Sequence, residues 1–197
     1  RHAGRCRVAR HCSIVGDEGR RGWRRFILRA YQPVVKQLGF DPRAGAYQGE
    51  DPQRFQKRVQ AVDRLTGAGR DAKVQTALIK ATDRFFTGQR KALDPAWFSM
   101  AFDLYLSRFG LDGARALMDT ALGSEDPDFR PAALAAIASS GQRPIARWLI
   151  EEFKDPRLRP SEQRGFIAQI LSMRGTREYG YAWLRANIDT LLAGGGA

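Results

Sequence analysis

Four residues near the start of the chain have side chains that can bind zinc: His2, Cys6, His11 and Cys12. Their spacing suits a single ion poorly, because adjacent His11 and Cys12 rarely both reach one metal, and the segment shows no regular pattern that would preorganise them. The sequence contains no other His or Cys. This excludes a HExxH zinc helix, a Cys–His dyad and a Ser–His–Asp triad from the rest of the chain. We therefore predict no catalytic residue and no metal ligand here.

Paired carboxylates and a glycine-rich break are the next candidates for chemistry. Glu125-Asp126 and Glu151-Glu152 are adjacent in sequence rather than facing, and they lie near predicted helix ends, where solvated charges are common. Gly67-Ala68-Gly69 lacks the Lys-Ser/Thr that follows a phosphate-binding loop. We interpret all three as features of helix ends.

Basic residues accompany aromatic ones in two predicted helices. The first has Trp23, Arg24, Arg25, Arg29 and Tyr31, and the second has Arg54, Lys57 and Arg58. A nucleic-acid groove has this composition, and so does a solvated helix face with its aromatics turned inward. Of the net charge of +12, residues 1–30 contribute +7, from nine Arg against two carboxylates. This distribution indicates a basic arm on a mildly basic body rather than a uniformly basic face.

A third basic and aromatic group surrounds the last predicted turn. Arg174, Arg177 and Tyr179 lie beside Gly175 at the start of the final helix. Guanidinium groups and a phenol beside a helix N-terminus suit a ligand with a carboxylate, such as a peptide end. The alternative is that the arginines are solvated or ion-paired while the neighbouring aromatics pack. We take Arg174, Arg177 and Tyr179 as the candidate substrate-binding residues.

The elements that must position these groups follow a repeat. Asp94-Pro95, Asp126-Pro127 and Asp155-Pro156 are 32 and 29 residues apart, and a glycine-bearing break separates each from the next. Asp before Pro is typical of a helix start. A period near 30 that is made of two helices predicts an all-α fold, a stack of antiparallel helix pairs. The predicted helices lie near 23–38, 53–65, 71–85, 95–108, 113–122, 128–139, 143–153, 160–173 and 176–192. Pro33 is expected to kink or break the first of them.

The domain organisation follows from the same pattern. We predict a disordered or irregular basic arm over 1–21, an α-solenoid over 22–192 and a flexible tail over 193–197. No apolar run reaches the ~18 residues of a membrane helix, so no membrane partner is expected. Two cysteines imply no disulfide framework, and we predict a cytoplasmic location.

The chain resembles a known family at several places. Residues 175–189 (GTREYGYAWLRANID) resemble the closing motif of the C-terminal helical, endoplasmic-reticulum-aminopeptidase-like domain of M1-family zinc aminopeptidases. Residues 124–138 are similar to the middle repeat of that domain, and residues 31–42 are similar to its entry helix and loop. Leu93-Asp94-Pro95 also has a counterpart there. Together these similarities cover about residues 23–192.

The resemblance implies a HEAT-like or armadillo-like superhelix that closes over a separate catalytic domain. In the family, zinc belongs to that catalytic domain, and the concave face of the superhelix bounds the chamber and helps bind the peptide. This sequence lacks both HExxH and the Gly-x-Met-Glu-Asn type motif, so no cofactor is expected in it. The chain looks like a piece truncated at both ends, which would expose an apolar end and favour self-association. The alternatives are a free-standing HEAT-like adaptor for a protein partner and, third, a basic solenoid that binds nucleic acid.

Overall fold

The computed structural model of the protein describes residues 16–152 and 155–194. Within these residues the chain forms helices and no strand, which confirms the all-α prediction. The eight α-helices are α1 (Asp17–Leu38), α2 (Pro52–Thr66), α3 (Ala72–Phe86), α4 (Phe98–Leu122), α5 (Phe129–Ala138), α6 (Arg143–Arg147), α7 (Pro160–Ser172) and α8 (Arg177–Gly194). Two 3₁₀ turns, Arg90–Ala92 and Pro95–Trp97, precede α4, and a π-helical turn, Trp148–Glu152, extends α6. None of these eight helices is both long enough and apolar enough to cross a bilayer.

Aspartate caps fix where several of these elements begin. Asp51, Asp71 and Asp94 each accept a hydrogen bond from a backbone N–H in the first turn that follows. The donors are the N–H groups of Arg54, Val74 and Ala96, at 2.8, 3.1 and 3.0 Å. Pro follows two of these caps and presets φ for the first helical residue. The capping role expected of Asp94 is therefore observed.

The helices pack in the order in which they occur in the chain. Each of α1 to α4 contacts the next helix, α5 contacts both α6 and α7, and α7 contacts α8. Contacts to the second neighbour join α2 to α4 and α4 to α6. A succession of near-neighbour contacts is typical of stacked helices, in which each element covers the apolar face of the one before it.

Four phenylalanine rings form the centre of the core. Phe85 of α3, Phe98 and Phe102 of α4, and Phe129 of α5 are each at most 2% exposed. Their centroids are 5.0 to 5.8 Å apart in offset and edge-to-face arrangements, which the ring quadrupole favours. The first half of α4 is thus an interior element, as its apolar circumference predicts.

A buried arginine joins the first two helices. Arg58 of α2 is 1% exposed and forms an ion pair with Glu50. Its guanidinium also donates to the carbonyl oxygens of Leu38 and Gly39 at the end of α1, at 2.7 and 3.0 Å. The guanidinium carbon lies 3.6 Å from the ring centroid of Tyr47. The end of α1, the following loop and α2 are therefore held by one side chain.

The first helix is longer than the sequence predicted. Residues 17–21, which we assigned to the irregular arm, are helical: α1 begins at Asp17. Two carboxylates in its first turn, Asp17 and Glu18, suit the positive end of the helix dipole, and Asp17 pairs with Arg20. Residues 1–15, with the zinc candidates His2, Cys6, His11 and Cys12, lie outside the described residues.

Two further boundaries differ from expectation. Pro33 does not end α1, which runs through it to Leu38. A proline removes one hydrogen bond from a helix, and packing of Ile27, Tyr31 and Val35 against the core on both sides of Pro33 offsets that loss. At the other terminus α8 continues through Gly194, so residues 193 and 194 of the predicted tail are helical.

The first and last helices expose large apolar side chains. Trp23 and Phe26 on α1 are 41% and 58% exposed and stack with centroids 5.4 Å apart. Tyr181 and Ile188 on α8 are 58% and 46% exposed. These side chains lie on the outer elements of the stack, where no further helix of the described chain covers them.

Removal of the Arg58 side chain should destabilise the fold strongly. Arg58→Ala takes from Glu50 its buried partner and from the carbonyl groups of Leu38 and Gly39 their side-chain donor. We expect the free energy of unfolding to fall by about 3 kcal/mol, the low end for a broken buried pair, because Glu50 keeps Arg54 as a partner. Arg54→Ala is the matched control, because Arg54 pairs with the same Glu50 from the same helix but its side chain is 54% exposed; its loss should cost below about 1 kcal/mol. Urea unfolding measures both. Equal losses of unfolding free energy in the two variants would show that buried Arg58 stabilises the fold no more than exposed Arg54 does.

Two glycines should respond to alanine in opposite directions. Gly110 interrupts α4 with φ 55° and ψ −132°, which strains any residue with a Cβ; Gly110→Ala should cost about 1–3 kcal/mol. Gly165 lies within α7, and a Cβ there meets nothing within 4 Å. Gly165→Ala should therefore raise the free energy of unfolding by about 0.5–1 kcal/mol. A stabilising Gly110→Ala in thermal or urea unfolding would contradict the observed break.

Candidate functional site

The α7–α8 hairpin carries the predicted substrate-binding residues, and an ion pair fixes its first helix. Arg130 of α5 donates from Nε and Nη2 to the two oxygens of Glu162, at 3.0 and 2.9 Å. Glu162 also accepts from the backbone N–H of Arg159, at 2.9 Å, in the manner of a capping box. Pro160 starts the helix. The entry to α7 is thus bound to the preceding hairpin.

Small residues set the close approach of the turn that follows. A Cβ on Gly175 would collide with the carbonyl oxygen of Gly141, so this turn packs directly on the α5–α6 turn. A Cβ on Gly180 would lie 2.8 Å from the side chain of Ile170, so α8 packs closely on α7. Thr176, only 2% exposed, donates its hydroxyl to the Ile170 carbonyl at 2.8 Å. The glycines of the motif at 175–189 therefore have a packing role.

The two arginines of the predicted site have different environments. Arg177 donates to the carbonyl oxygens of Leu171 and Ser172, at 3.0 and 3.1 Å, and so satisfies acceptors at the end of α7. Arg174, in the turn, is exposed. Of the two, Arg174 is the one whose guanidinium can reach a ligand without breaking a contact of the hairpin.

Tyr179 joins α8 to the π-helical turn after α6 through a hydrogen bond. Its hydroxyl donates to Glu151 at 2.5 Å, and Arg147 donates to the other oxygen of Glu151 at 2.8 Å. The guanidinium carbon of Arg143 lies 5.5 Å from the Tyr179 ring centroid. Burial, together with the Glu151 charge, raises the pKa of Tyr179 to about 12. The hydrogen bond from Tyr179, followed by that from Arg147, lowers the pKa of Glu151.

The three predicted residues therefore have different contacts in the structure. Arg177 binds the end of α7, Tyr179 binds Glu151, and Arg174 faces solvent. Tyr179 is held in its neutral form and Glu151 in its charged form at neutral pH, so this pair is suited to fixing geometry and not to proton transfer.

The described residues do not fit a metal centre. Over residues 16–152 and 155–194, no group of three or more His, Cys, Asp or Glu side chains could hold an ion. Two carboxylates of this region, Glu151 and Glu162, already accept hydrogen bonds from an arginine or a tyrosine.

Half of the six cations that suggested a nucleic-acid groove form contacts within the protein. Arg58 is buried, and Arg54 pairs with Glu50 at 2.9 Å. Arg24 donates to the carbonyl oxygens of Gly69 and Arg70, at 3.0 and 3.3 Å, and so fastens α1 to the turn after α2. Arg25 and Arg29 on α1 and Lys57 on α2 remain exposed. These contacts give three of the six basic residues a structural role.

A basic groove that the sequence did not reveal lies elsewhere. It has a volume of about 510 Å³ between α3, the loop at Pro42 and the 3₁₀ turn Arg90–Ala92. Five cations line it: Arg43, Lys80, Arg84, Arg90 and Lys91. Only the spacing of Lys80 and Arg84, one turn apart on α3, gave a local signal, because the other members come from separate segments.

Comparison with known proteins identifies the domain. A family model described as the ERAP1-like C-terminal domain matches residues 6–195. The chain belongs to this family. ERAP1-like C-terminal domains are the non-catalytic C-terminal domains of M1 aminopeptidases, so the resemblance found in the sequence is confirmed. A search of curated proteins returned no match.

The Tyr179–Glu151 contact of this ERAP1-like C-terminal domain predicts a measurable pKa change. Tyr179→Phe removes the first cause of the lowered pKa of Glu151, so that pKa should rise toward its ordinary value of 4.5. A lowered carboxyl pKa stabilises the fold above pH 4.5, and this stabilisation is lost as pH falls through the folded-state pKa. The difference in unfolding free energy between wild type and Tyr179→Phe should therefore be largest above pH 4.5 and shrink on acidification.

Carboxyl ¹³C NMR titration measures the pKa of Glu151 directly. Tyr181→Phe is the matched control, since Tyr181 is two residues away on the same helix and 58% exposed. An equal shift in both variants would show that the hydrogen bond from Tyr179 is not the cause.

Proposed function

We propose that this chain is the helical C-terminal domain of an M1 zinc aminopeptidase, in which it caps the active-site chamber and helps bind the peptide substrate. The family match over residues 6–195 carries the proposal. Helices that pack in chain order, each against its near neighbours, support a HEAT-like or armadillo-like superhelix of antiparallel pairs. Such a superhelix offers a curved surface that can bound a chamber.

The chemistry is assigned to a separate catalytic domain. The described residues hold no cluster that could bind zinc, so this chain contributes shape and contacts while the zinc and the reacting groups belong to its partner. The catalytic domain is therefore the proposed protein partner, and a cytoplasmic location remains a prediction from the low cysteine content.

Arg174 is the proposed peptide contact. It is exposed in the α7–α8 turn, and a guanidinium binds a carboxylate through paired, charge-assisted hydrogen bonds. Arg177 and Tyr179 support it indirectly, because they hold the two sides of the hairpin through the end of α7 and through Glu151. Of the three residues predicted from the sequence, Arg174 is thus the proposed ligand contact, and Arg177 and Tyr179 are positioning residues.

A free-standing adaptor for a protein partner is the second candidate. The stacked Trp23–Phe26 pair on α1 and the exposed Tyr181 and Ile188 on α8 support it, because outer helices with uncovered aromatic groups are typical of docking surfaces. The same exposed ends support the expectation of self-association. An adaptor would bind its partner without changing how any peptidase selects its substrates.

Reconstitution with a catalytic fragment tests the first candidate against the second. A catalytic M1 fragment that lacks its helical domain is mixed with this chain, and kcat/KM is measured for a single-residue anilide and for peptides of increasing length. We expect the chain to change the dependence on peptide length and to leave the anilide unaffected. The chain alone, with added zinc, should release no amino acid. An unchanged length dependence despite complex formation would favour the adaptor.

Substitution of Arg174 tests the proposed contact within that complex. Arg174→Ala should raise KM several-fold for long peptides and leave both kcat and the anilide rate unchanged, because it removes binding far from the scissile bond. Arg164→Ala, an exposed arginine on α7, is the control of equal charge. A loss that is the same in both variants would indicate general electrostatics and not a peptide contact.

A further inference from the structure

The groove beside α3 has the form of a binding site. One wall is a face of α3 that carries Lys80 and Arg84, and the opposite wall is the 3₁₀ turn Arg90–Ala92. Small apolar groups, Pro42, Ala77 and Ala81 among them, line the space between the walls. Its volume of about 510 Å³ is within the range of small-molecule sites.

The charge of this groove is not compensated within the described chain. Arg43 is neutralised by Asp41, which accepts its Nη2 at 2.6 Å. The other four cations, Lys80, Arg84, Arg90 and Lys91, are exposed and form no ion pair with any described residue. No Asp or Glu is among the lining residues. Four like charges around one concave surface repel each other unless an anion binds between them.

The acidic groups nearest in sequence are used in other ways. Asp94 accepts hydrogen bonds from the backbone N–H groups of Ala96 and Gly45, at 3.0 and 3.2 Å. Asp83 precedes Arg84 on α3 and forms no ion pair with Lys80 or Arg84. Neither carboxylate is paired with a cation of the groove.

The walls are fixed relative to each other before any ligand arrives. The backbone N–H of Ala44 donates to the Lys91 carbonyl at 3.0 Å, and the N–H of Asp94 donates to the Pro42 carbonyl at 2.8 Å. The guanidinium carbon of Arg90 lies 4.7 Å from the centroid of the buried Phe85 ring. Stacking orients a guanidinium face and leaves its N–H edges available. The backbone of the groove and the Arg90 side chain are therefore preorganised, which lowers the entropic cost of binding.

We propose that this groove binds a small polyphosphate anion. A carboxylate brings one negative charge, whereas a phosphate group brings about 1.5 to 2 and three acceptor oxygens, so two or three linked phosphates match four free cations. Arg84 and Arg90 can bind phosphate oxygens in a bidentate manner, and Lys80 and Lys91 act as point charges. The groove shares no residue with the proposed peptide contact at Arg174.

Calorimetric titration with inorganic tripolyphosphate tests the site in the full chain. We expect binding near equimolar ratio in 0.15 M NaCl, and at least about tenfold weaker binding in the double variant Lys80→Gln/Arg84→Gln, since it removes half of the free charge. Arg164→Gln/Arg185→Gln removes two exposed arginines of α7 and α8 and is the charge-matched control; it should stay within about twofold of wild type. Circular dichroism checks that all variants are folded.

Each contrary result overturns a stated part of the proposal. Equal losses in the two double variants would mean diffuse attraction to a basic protein, with no site at α3. Citrate that binds as tightly as tripolyphosphate would assign the groove to carboxylates. A poly-glutamate peptide or a single-stranded oligonucleotide that binds far more tightly, and loses that binding only in Lys80→Gln/Arg84→Gln, would assign it to a macromolecule.

Discussion

The fold depends on the burial of one charged group. Arg58 is almost fully removed from water, and a guanidinium in that position destabilises a protein unless its N–H groups are satisfied. Here Nε and Nη2 donate to main-chain carbonyls at the end of α1, and the two Nη groups donate to Glu50. The Tyr47 ring covers the guanidinium face and in turn packs edge-on against Trp97 at the entry to α4. The position of the long loop between α1 and α2 therefore follows from this side chain.

A second arginine–glutamate pair, Arg130–Glu162, holds another connection between helices. Arg130 reaches across to Glu162 and to the carbonyl oxygen of Arg157, so it fastens the segment before α7 to α5 as Arg58 fastens the loop before α2. The helices share one buried hydrophobic cluster that runs from Ile27 to Ile170, and the two arginines hold connections between helices in addition to it. The side chains of Arg130 and Glu162 are 14% and 17% exposed, whereas the side chain of Arg58 is 2% exposed. The Arg58–Glu50 pair therefore has the larger desolvation cost, and its loss should destabilise the fold more.

Periodicity and capping chemistry made most of the helices predictable, because both depend on residues within one turn of each other. The step at Asp94-Pro95 and the break at Gly110 are signals of this kind, and the structure has a helical start and a break there. The helices that follow the other two Asp-Pro steps begin at Phe129 and Pro160, two and four residues after the prolines of those steps. The Arg58–Glu50 pair, the Arg130–Glu162 pair and the basic groove were not predictable, since their residues come from segments that only packing brings together. Arg58 is an example: its spacing on α2 equals that of a solvated basic stripe, and nothing local shows that Glu50 and the end of α1 cover it. The contacts of Arg177 and Tyr179 met the same limit, because their partners Leu171 and Glu151 lie in other elements, while their role in substrate binding stays a prediction.

The titration behaviour of the described residues also favours a scaffold over a reaction centre. General acid–base catalysis needs a group whose pKa is moved toward neutrality, and here the resolved shifts move away from it. Hydrogen bonds from arginine or tyrosine lower the pKa of five carboxyls: Asp41, Glu50, Glu151, Asp155 and Glu162. Burial is the leading cause of the raised pKa of three tyrosines: Tyr47, Tyr105 and Tyr179. Each shift stabilises the protonation state that already prevails at pH 7. The carboxyls therefore stay charged in their hydrogen bonds, and the tyrosine rings stay neutral where they pack. Groups that keep one protonation state suit a non-catalytic domain, as the family match indicates for this chain.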